Sequence, residues 1–433
     1  MTPEVQLAVA MAMFLVLLVA GMSVPFAISI PAVVYLYIQG GFPALKAMGF
    51  VSWGSMDSFT LTAIPLFIFM AEVLQRSGLS FRIYNGLALL VSRIPGGLLQ
   101  TNIVGCAIFA SITGSTVATA ASIGGVALPQ LLERGYSRTL SAGSICAGGT
   151  LGCLLPPSLA LIIYGTFTNT SVAKLFIAGI IPGLLLTFLF MSYIAAHALV
   201  RPAVAPRERP LFTPATFLSA VADVLPFFVL VGGTLGSIYL GLVTPTEAAA
   251  IGSVFAIVIA RLWGRLTLKI FLQALNGAVQ LVGNLLFIIY AAYLFSYAIS
   301  FAGVGESLTN YLVHLELSRL NFFLALFVLF TVLGCLVESI GMIVITVPLL
   351  YPVLIKYGID PIWFGIVLAL FIELGAISPP IGINLFVIQS VWNGKLSDVV
   401  KGTIPFHLVM FLLLAILVVW PELALWLPAH MSR

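Results

Sequence analysis

Two short stretches of this chain combine residues that could hold an ion or an anion. The first is Gly148-Gly-Thr-Leu-Gly152-Cys-Leu-Leu-Pro156-Pro157-Ser158, and the second is Glu373-Leu-Gly375-Ala-Ile-Ser378-Pro379-Pro380-Ile-Gly382-Ile-Asn384. Each falls inside an otherwise continuous apolar run. Two successive prolines remove two amide donors and clash with the preceding turn, so helix breaks are expected at Pro156, Pro157, Pro379 and Pro380. In hydrocarbon such a break is tolerated only where protein or a wet cavity satisfies the freed carbonyls. Those carbonyls are good oxygen ligands for a small hard cation, and a helix restarting after the break offers amide donors to an anion. Candidate sodium or substrate contacts are therefore Thr150, Gly152, Pro156 and Ser158 in the first stretch. In the second they are Glu373, Gly375, Ser378, Gly382 and Asn384. A pair of plain proline kinks would explain one double proline equally well; two at matched positions favour a binding role.

Two further stretches crowd hydroxyls and glycines into the middle of apolar segments. Ser111-Ile-Thr-Gly114-Ser115-Thr116-Val-Ala-Thr119 supplies Gly114, Ser115, Thr116 and Thr119, and Gly334-Cys-Leu-Val-Glu338-Ser339-Ile-Gly341 supplies Glu338, Ser339 and Gly341. Small residues also serve membrane helix packing, which is the plainer reading. Glu338 and Glu373 are the only acids expected near the bilayer midplane, where a carboxylate is costly unless paired or functional. Sodium ligand, proton carrier and buried hydrogen-bond partner all remain open for them. Glu72, four residues before Arg76, reads as half of a surface pair at a helix end. Thr244-Pro245-Thr246-Glu247 reads as a capping box with Pro at the first helical position, a structural role.

The elements that must position these residues follow from composition. Of 433 residues, 61% are hydrophobic and 7% charged, against about 25% charged in a soluble domain. Apolar runs long enough to cross ~30 Å of hydrocarbon recur along the chain. Ten crossings are expected near 5–20, 23–39, 59–76, 138–168, 172–199, 217–240, 246–263, 284–302, 361–392 and 403–428. Segments 98–130 and 322–356 are expected to be re-entrant hairpins, and 81–96, 267–283 and 44–58 interfacial helices. This arrangement places thirteen of the eighteen Lys and Arg on the cytoplasmic side, as the positive-inside rule asks, with both termini periplasmic. The N-terminus has no basic region or small-residue cleavage site and does not read as a removable signal peptide.

A shift of 223 residues superimposes one half of the chain on the other. It pairs Pro129 with Pro352, Gly135 with Gly358, Gly152 with Gly375, Pro156 with Pro379, Pro157 with Pro380, Gly179 with Gly402, and Pro182 with Pro405. Glycine and proline fix backbone shape, so their coincidence reports a shared pattern of bends. The expected organisation is a first repeat over 1–200, with hairpin 98–130 and broken helix 138–168. A cytoplasmic linker over 201–216 and a second repeat over 217–433, with hairpin 322–356 and broken helix 361–392, follow. Arg76, Arg82 and Arg93 follow the third span, whereas only Arg319 follows its counterpart, so the two copies are expected to be inverted. Inverted repeats with discontinuous helices are a signature of secondary transporters.

Other classes are disfavoured. There is no GxxxxGK[ST] phosphate loop for an ATP-driven pump. All four aspartates (57, 223, 360, 398) fall near expected interfaces, which leaves an intramembrane enzyme without paired catalytic acids. Cys106, Cys146, Cys153 and Cys335 show no CxxC spacing and read as small buried residues, and four scattered histidines form no ligand cluster.

At Gly114-Ser115-Thr-Val-Ala118, Leu155-Pro156-Pro157-Ser158 with Leu161-Ile-Ile-Tyr164-Gly165, Thr244-Pro-Thr-Glu-Ala248-Ala249 and Ser378-Pro379-Pro380-Ile-Gly382-Ile-Asn384-Leu-Phe386, the chain resembles the large membrane (M) subunit of tripartite ATP-independent periplasmic (TRAP) transporters, DctM-like. The resemblance covers essentially the full length. In some members an Asp stands at the position of Thr119. It implies an all-α polytopic, inverted-repeat, elevator-type transporter of the bacterial inner membrane, with no cofactor beyond coupling sodium ions. It also implies sodium-coupled uptake of an organic acid such as a C4-dicarboxylate, a keto acid or sialic acid. Two partners are implied: a periplasmic solute-binding protein that delivers the substrate and a small four-helix membrane subunit. No nucleic-acid partner is expected. A binding-protein-independent sodium/dicarboxylate or citrate carrier is the alternative transporter reading.

Overall fold

The computed structural model describes residues 3–206, 213–301, 303, 310, 314, 318–334 and 337–431. The described chain is helical, with only turns and short 3-10 segments between helices. Part of the expected linker over 201–216, and Cys335 at the second hairpin tip, lie outside the described residues.

The first part of the chain forms α1 (Pro3–Val19), α2 (Val24–Leu45), α3 (Ala47–Met56), α4 (Ala63–Arg76) and α5 (Leu79–Val91). It is followed by the first helical hairpin, α6 (Leu98–Thr113) and α7 (Thr116–Glu133). Then α8 (Arg138–Thr150) breaks, the chain restarts as α9 (Leu159–Thr168), and α10 (Val172–Val200) runs unbroken. The succession continues with α11 (Pro214–Tyr239), α12 (Pro245–Leu262) and α13 (Leu268–Phe301). A second hairpin, α14 (Arg319–Gly334) and α15 (Ser339–Lys356), precedes α16 (Pro361–Ala376), a second break and α17 (Ile383–Trp392). The chain closes with α18 (Leu396–Val419) and α19 (Glu422–Ala429). Among the described residues, eight helices are long and apolar enough to cross a membrane unaided.

Side-chain caps set many of these boundaries. Ser137, Ser158 and Ser171 each accept the amide three residues on, opening α8, α9 and α10, which satisfies one of the orphan donors of the first turn. Asp360 accepts from Ile362 and Trp363 at 2.8 and 3.0 Å, with Pro361 at the first helical position of α16. The expected capping box at Thr244 is present, Glu247 Oε2 accepting from the Thr244 amide at 2.7 Å.

Packing separates an outer and an inner set of helices. On the outside, α2 and α3 lie along α13, α4 packs on α12 and α13, and α11 packs on α5 and α12. Inside, α6, α7 and α8 pack together with α17, α18 crosses α8, and α10 runs against α6, α16, α18 and α19. The crossing of α18 and α8 is backbone on backbone: a Cβ at Gly143 would lie 2.2 Å from the Gly402 carbonyl oxygen. Helix α5 bridges the two sets. Its Arg82 donates to Asp223 of α11 at 2.6 and 2.9 Å. Its Tyr84 donates to Asn102 of α6 at 2.8 Å, and Asn102 in turn donates to Ser144 of α8 at 3.0 Å.

Two expected boundaries are corrected. Segments 267–283 and 284–302 are not an interfacial helix and a separate span but the single helix α13. Nothing in that run removes an amide donor, so the polar positions Gln273 and Asn276 occupy one end of a continuous helix. The last expected span, 403–428, is divided between α18 and α19 at Trp420-Pro421, because a proline cannot donate to the carbonyl four residues earlier.

Candidate functional site

The first hairpin turns at Gly114, whose φ of 58° lies in the left-handed region that costs a side-chain-bearing residue about 1–2 kcal/mol. A Cβ here would also sit 2.5 Å from the carbonyl oxygen of Pro157. The Leu159 amide donates to the Gly114 carbonyl at 3.3 Å, and a Cβ at Gly152 would lie 2.8 Å from the Ser115 carbonyl carbon. The first tip is thus seated on the first helix break by main-chain contact. At the second pair, a Cβ at Gly334 would lie 2.6 Å from the Cα of Gly375. Both contacts need glycine for close approach.

The hydroxyls around these seams already have local duties. Ser115 caps α7 by accepting from Ala118, and Thr119 donates to the Ser115 carbonyl at 2.8 Å beside Thr113, 2.7 Å away. Thr116 is buried in the first turn of α7. Ser158 donates to the Cys153 carbonyl at 2.7 Å and accepts from Leu161. Ser378 donates to the Leu374 carbonyl at 2.6 Å and meets His407 Nε2 at 3.1 Å. Committed protons leave oxygen lone pairs, which suits a cation better than an anion. Pro156-Pro157 and Pro379-Pro380 fall in the non-helical stretches after α8 and α16. Gly382, with φ 29° and the Ser378 carbonyl 2.7 Å from an imagined Cβ, lets the chain double back into α17. Gly341 serves packing instead, against Val337 and against Val24 of α2.

Glu373 is fully buried on α16, and neither of its carboxylate oxygens has a hydrogen-bond partner. Thr150 is its neighbour but gives its own proton to the Ala147 carbonyl at 2.7 Å. Asn384 is fully buried too. It donates to the Cys146 carbonyl at 3.5 Å, one helical turn from Thr150, while its Oδ1 finds no donor.

A cavity of about 230 Å³ opens where the two tips meet α4 and α13. Thr113 and Ser115 line it from the first tip and Glu338 from the second; Glu72 and Gln75 contribute from α4, and Asn284 from α13. Glu338 stands at the N-cap of α15 without capping it, so its carboxylate is left for the cavity. Four of these six (Thr113, Glu72, Gln75 and Asn284) lie outside the sites expected from sequence, and Glu72 revises an expectation. Glu72 does pair with Arg76, at 2.5 Å, yet it is only 9% exposed and faces the cavity rather than a surface. Room for the pair comes from Gly277 of α13, where a Cβ would lie 2.5 Å from Glu72 Oε2 and 2.6 Å from an Arg76 nitrogen. Gln75 reaches across the cavity wall to donate to Ser122 of α7 at 2.6 Å. The signal for Glu72 and Gln75 was in the sequence: with Ile68 and Ala71 they recur at three- and four-residue spacing on one helix face. Asn284 is one of several carboxamides along that run, with Gln273, Asn276 and Gln280, and nothing local sets it apart.

Comparison with known proteins matches this arrangement to a transporter family. The profile of the tripartite ATP-independent periplasmic transporter, DctM component, matches residues 11–423. The C4-dicarboxylate TRAP transporter large permease protein DctM of Pseudomonas aeruginosa is 32% identical over 388 residues, which is 89% of this chain and 90% of that protein. The sialic acid TRAP transporter large permease protein SiaM of Vibrio cholerae is 30% identical over 422 residues, 95% of this chain and 96% of that protein. In fold, the chain is similar to the YdaH transporter of Alcanivorax borkumensis, with a TM-score of 0.66 over 91% of each chain at 16% identity. With hairpin tips seated on broken helices and a family match that spans them all, the chain belongs to the DctM family of TRAP transporter large permease proteins, a family of membrane transporters and not of enzymes.

Proposed function

We propose that this permease carries out sodium-coupled uptake of a small organic acid across the bacterial inner membrane. The observation that carries the reading is the cavity shared by both hairpin tips and the outer helices α4 and α13, with Ser115 and Glu338 facing it together. In this reading the two hairpins are re-entrant and the two repeats inverted, with both termini periplasmic. The hairpins and broken helices move as an elevator against the outer helices, so that the cavity opens to either side in turn. Sodium ions are held by tip and break oxygens, and the acid occupies the cavity. A periplasmic solute-binding protein delivers the substrate and a small four-helix membrane subunit completes the outer scaffold. Relatives named for C4-dicarboxylate and sialic acid support an acid as cargo. Each net positive charge moved inward contributes ~2.3 kcal/mol per 100 mV, so two sodium ions per monoanion would drive accumulation.

Screening the cognate binding protein by thermal shift against dicarboxylates, keto acids and sialic acid selects the acid. Uptake of that acid is then measured in vesicles holding the complete system, with sodium outside or with potassium in its place. Sodium dependence is expected in the wild type. Glu338→Gln and Ser115→Ala each weaken it while leaving membrane insertion intact. Undiminished uptake in potassium would reject sodium coupling, and a wild-type sodium response in both variants would remove the tips from the site.

A further inference from the structure

We infer that one flank of α13 lines the path by which the cargo acid leaves the cavity for the cytoplasm; the inference rests on the uptake reading above. Lys269, Gln273, Asn276, Gln280 and Asn284 follow one another at intervals of four, three, four and four residues, a spacing that keeps side chains on one helix face. All five are exposed. Asn284, the innermost, also lines the cavity. At ~1.5 Å per residue the row runs about 22 Å from there to Lys269 at the start of the helix.

The same stretch of α13 has a second exposed side, and it is apolar. Leu268, Leu272, Leu275 and Val279 are all exposed, and at 100° per residue they centre roughly a third of a turn round the helix from the carboxamides. A segment immersed in water all round has no cause to sort its side chains in this way, and carboxamides turned to hydrocarbon are costly. One side therefore meets an apolar medium and the other meets water. That water is continuous with the cavity, because Asn284 belongs to both. Gly277, on the core side of the row, lies against the Glu72–Arg76 pair of α4. The facing wall continues on α7, where Ala118 and Ala121 line the cavity. Gly125, one turn further along α7, would have nothing within 4 Å of a Cβ.

Charge along this path changes sign in the direction of release. The cavity end holds Glu72 and Glu338. Arg76 stands beside Gly277, midway along the row, and exposed Lys269 and Arg265 mark its outer end. Such a gradient favours outward movement of an acid anion. Between the ends the carboxamides are neutral donors, which hold a carboxylate less firmly than an ammonium or guanidinium does. Passage needs binding that is weak enough to permit departure.

The test measures which positions water reaches and which of them release needs. In inside-out vesicles holding the complete system, Asn276→Cys and Gln280→Cys are compared with Leu275→Cys and Val279→Cys. The first two should react with the charged, membrane-impermeant reagent sulfonatoethyl methanethiosulfonate about tenfold or more faster, because a thiol in apolar surroundings stays protonated. The unsubstituted protein, whose Cys106, Cys146 and Cys153 are buried, supplies the blank. The paired variant Asn276→Leu/Gln280→Leu should lower kcat for uptake of the selected acid about fivefold or more, with apparent KM no higher, since release and not capture has lost its polar contacts. If the leucine pair fails to fold, Gln280→Ala should change kcat in the same direction. Equal labelling of the two sides overturns the inference, as does a wild-type kcat in the folded variant. Labelling of the flank only when the small membrane subunit is left out also overturns it, by assigning the flank to that partner. Absence of sodium-dependent uptake in the wild type would instead reject the coupling reading beneath, while the labelling contrast still decides whether the flank is wet.

Discussion

Alanine at Gly114 should loosen the first tip from its helix break, and Gly135 provides the control. Both glycines have left-handed φ, 58° and 74°, so alanine pays a backbone cost of about 1–2 kcal/mol at either. At Gly135 a Cβ meets nothing within 4 Å, and no further cost arises. At Gly114 the new carbon would lie 2.5 Å from the Pro157 carbonyl oxygen and 3.1 Å from the Leu159 nitrogen. These are main-chain atoms that cannot rotate away. Relief requires the tip to withdraw, which adds about 1–3 kcal/mol of overpacking strain. It also breaks the Leu159–Gly114 hydrogen bond, for about 1 kcal/mol more. Unfolding each purified variant by titrating sodium dodecyl sulfate into dodecyl maltoside micelles should therefore cost about 1–2 kcal/mol for Gly135→Ala and about 3–6 kcal/mol for Gly114→Ala. Equal losses in the two variants would show that the tip does not rest on the break, and the account of the seam would fall.

Two other perturbations probe the walls around the site. Gly277→Ala places a carbon against the Glu72–Arg76 pair and should displace the arginine. Uptake of the selected acid should then show a raised apparent KM, and unchanged kinetics would show that the pair tolerates the carbon without moving. Tyr84→Phe leaves the fully buried Asn102 carbonyl without its phenolic donor, an unsatisfied acceptor worth about 1–3 kcal/mol in the same micelle titration; Asn102→Leu in the Tyr84→Phe background should recover part of that loss.

Much of this architecture could be read from residue types because proline and glycine act locally. Pro156-Pro157 and Pro379-Pro380 lack amide donors whatever surrounds them, so the breaks after α8 and α16 were legible, as was a hairpin within 98–130, though not its turn at Gly114. Capping is equally local, which is why Thr244 to Glu247 behaves as its spelling suggests. The continuity of α13 was hidden because polar residues such as Gln273 suit both an interfacial helix and the protruding end of a long one. At 34 residues and ~1.5 Å per residue, α13 outreaches a hydrocarbon core of ~30 Å, and hydropathy alone does not report that excess. The cavity was the least legible part. Its walls come from five distant segments, and the burial of Glu72 depends on a missing side chain at Gly277, two hundred residues away, which no local pattern encodes.

The seams between tips and breaks have a consequence for how such a carrier can diversify. Gly114 meets Pro157, Gly152 meets Ser115, and Gly334 meets Gly375 through atoms that every residue type shares or lacks alike. If the cargo occupies the cavity as proposed, this closure would be indifferent to its chemistry, whereas the carboxamides of Gln75 and Asn284 on the facing wall would not. On that reading, a change of cargo would call for changes on that wall and none at the glycine seams. The same division gives an engineer a place to begin: alter the wall on α4 and α13, and keep the glycines.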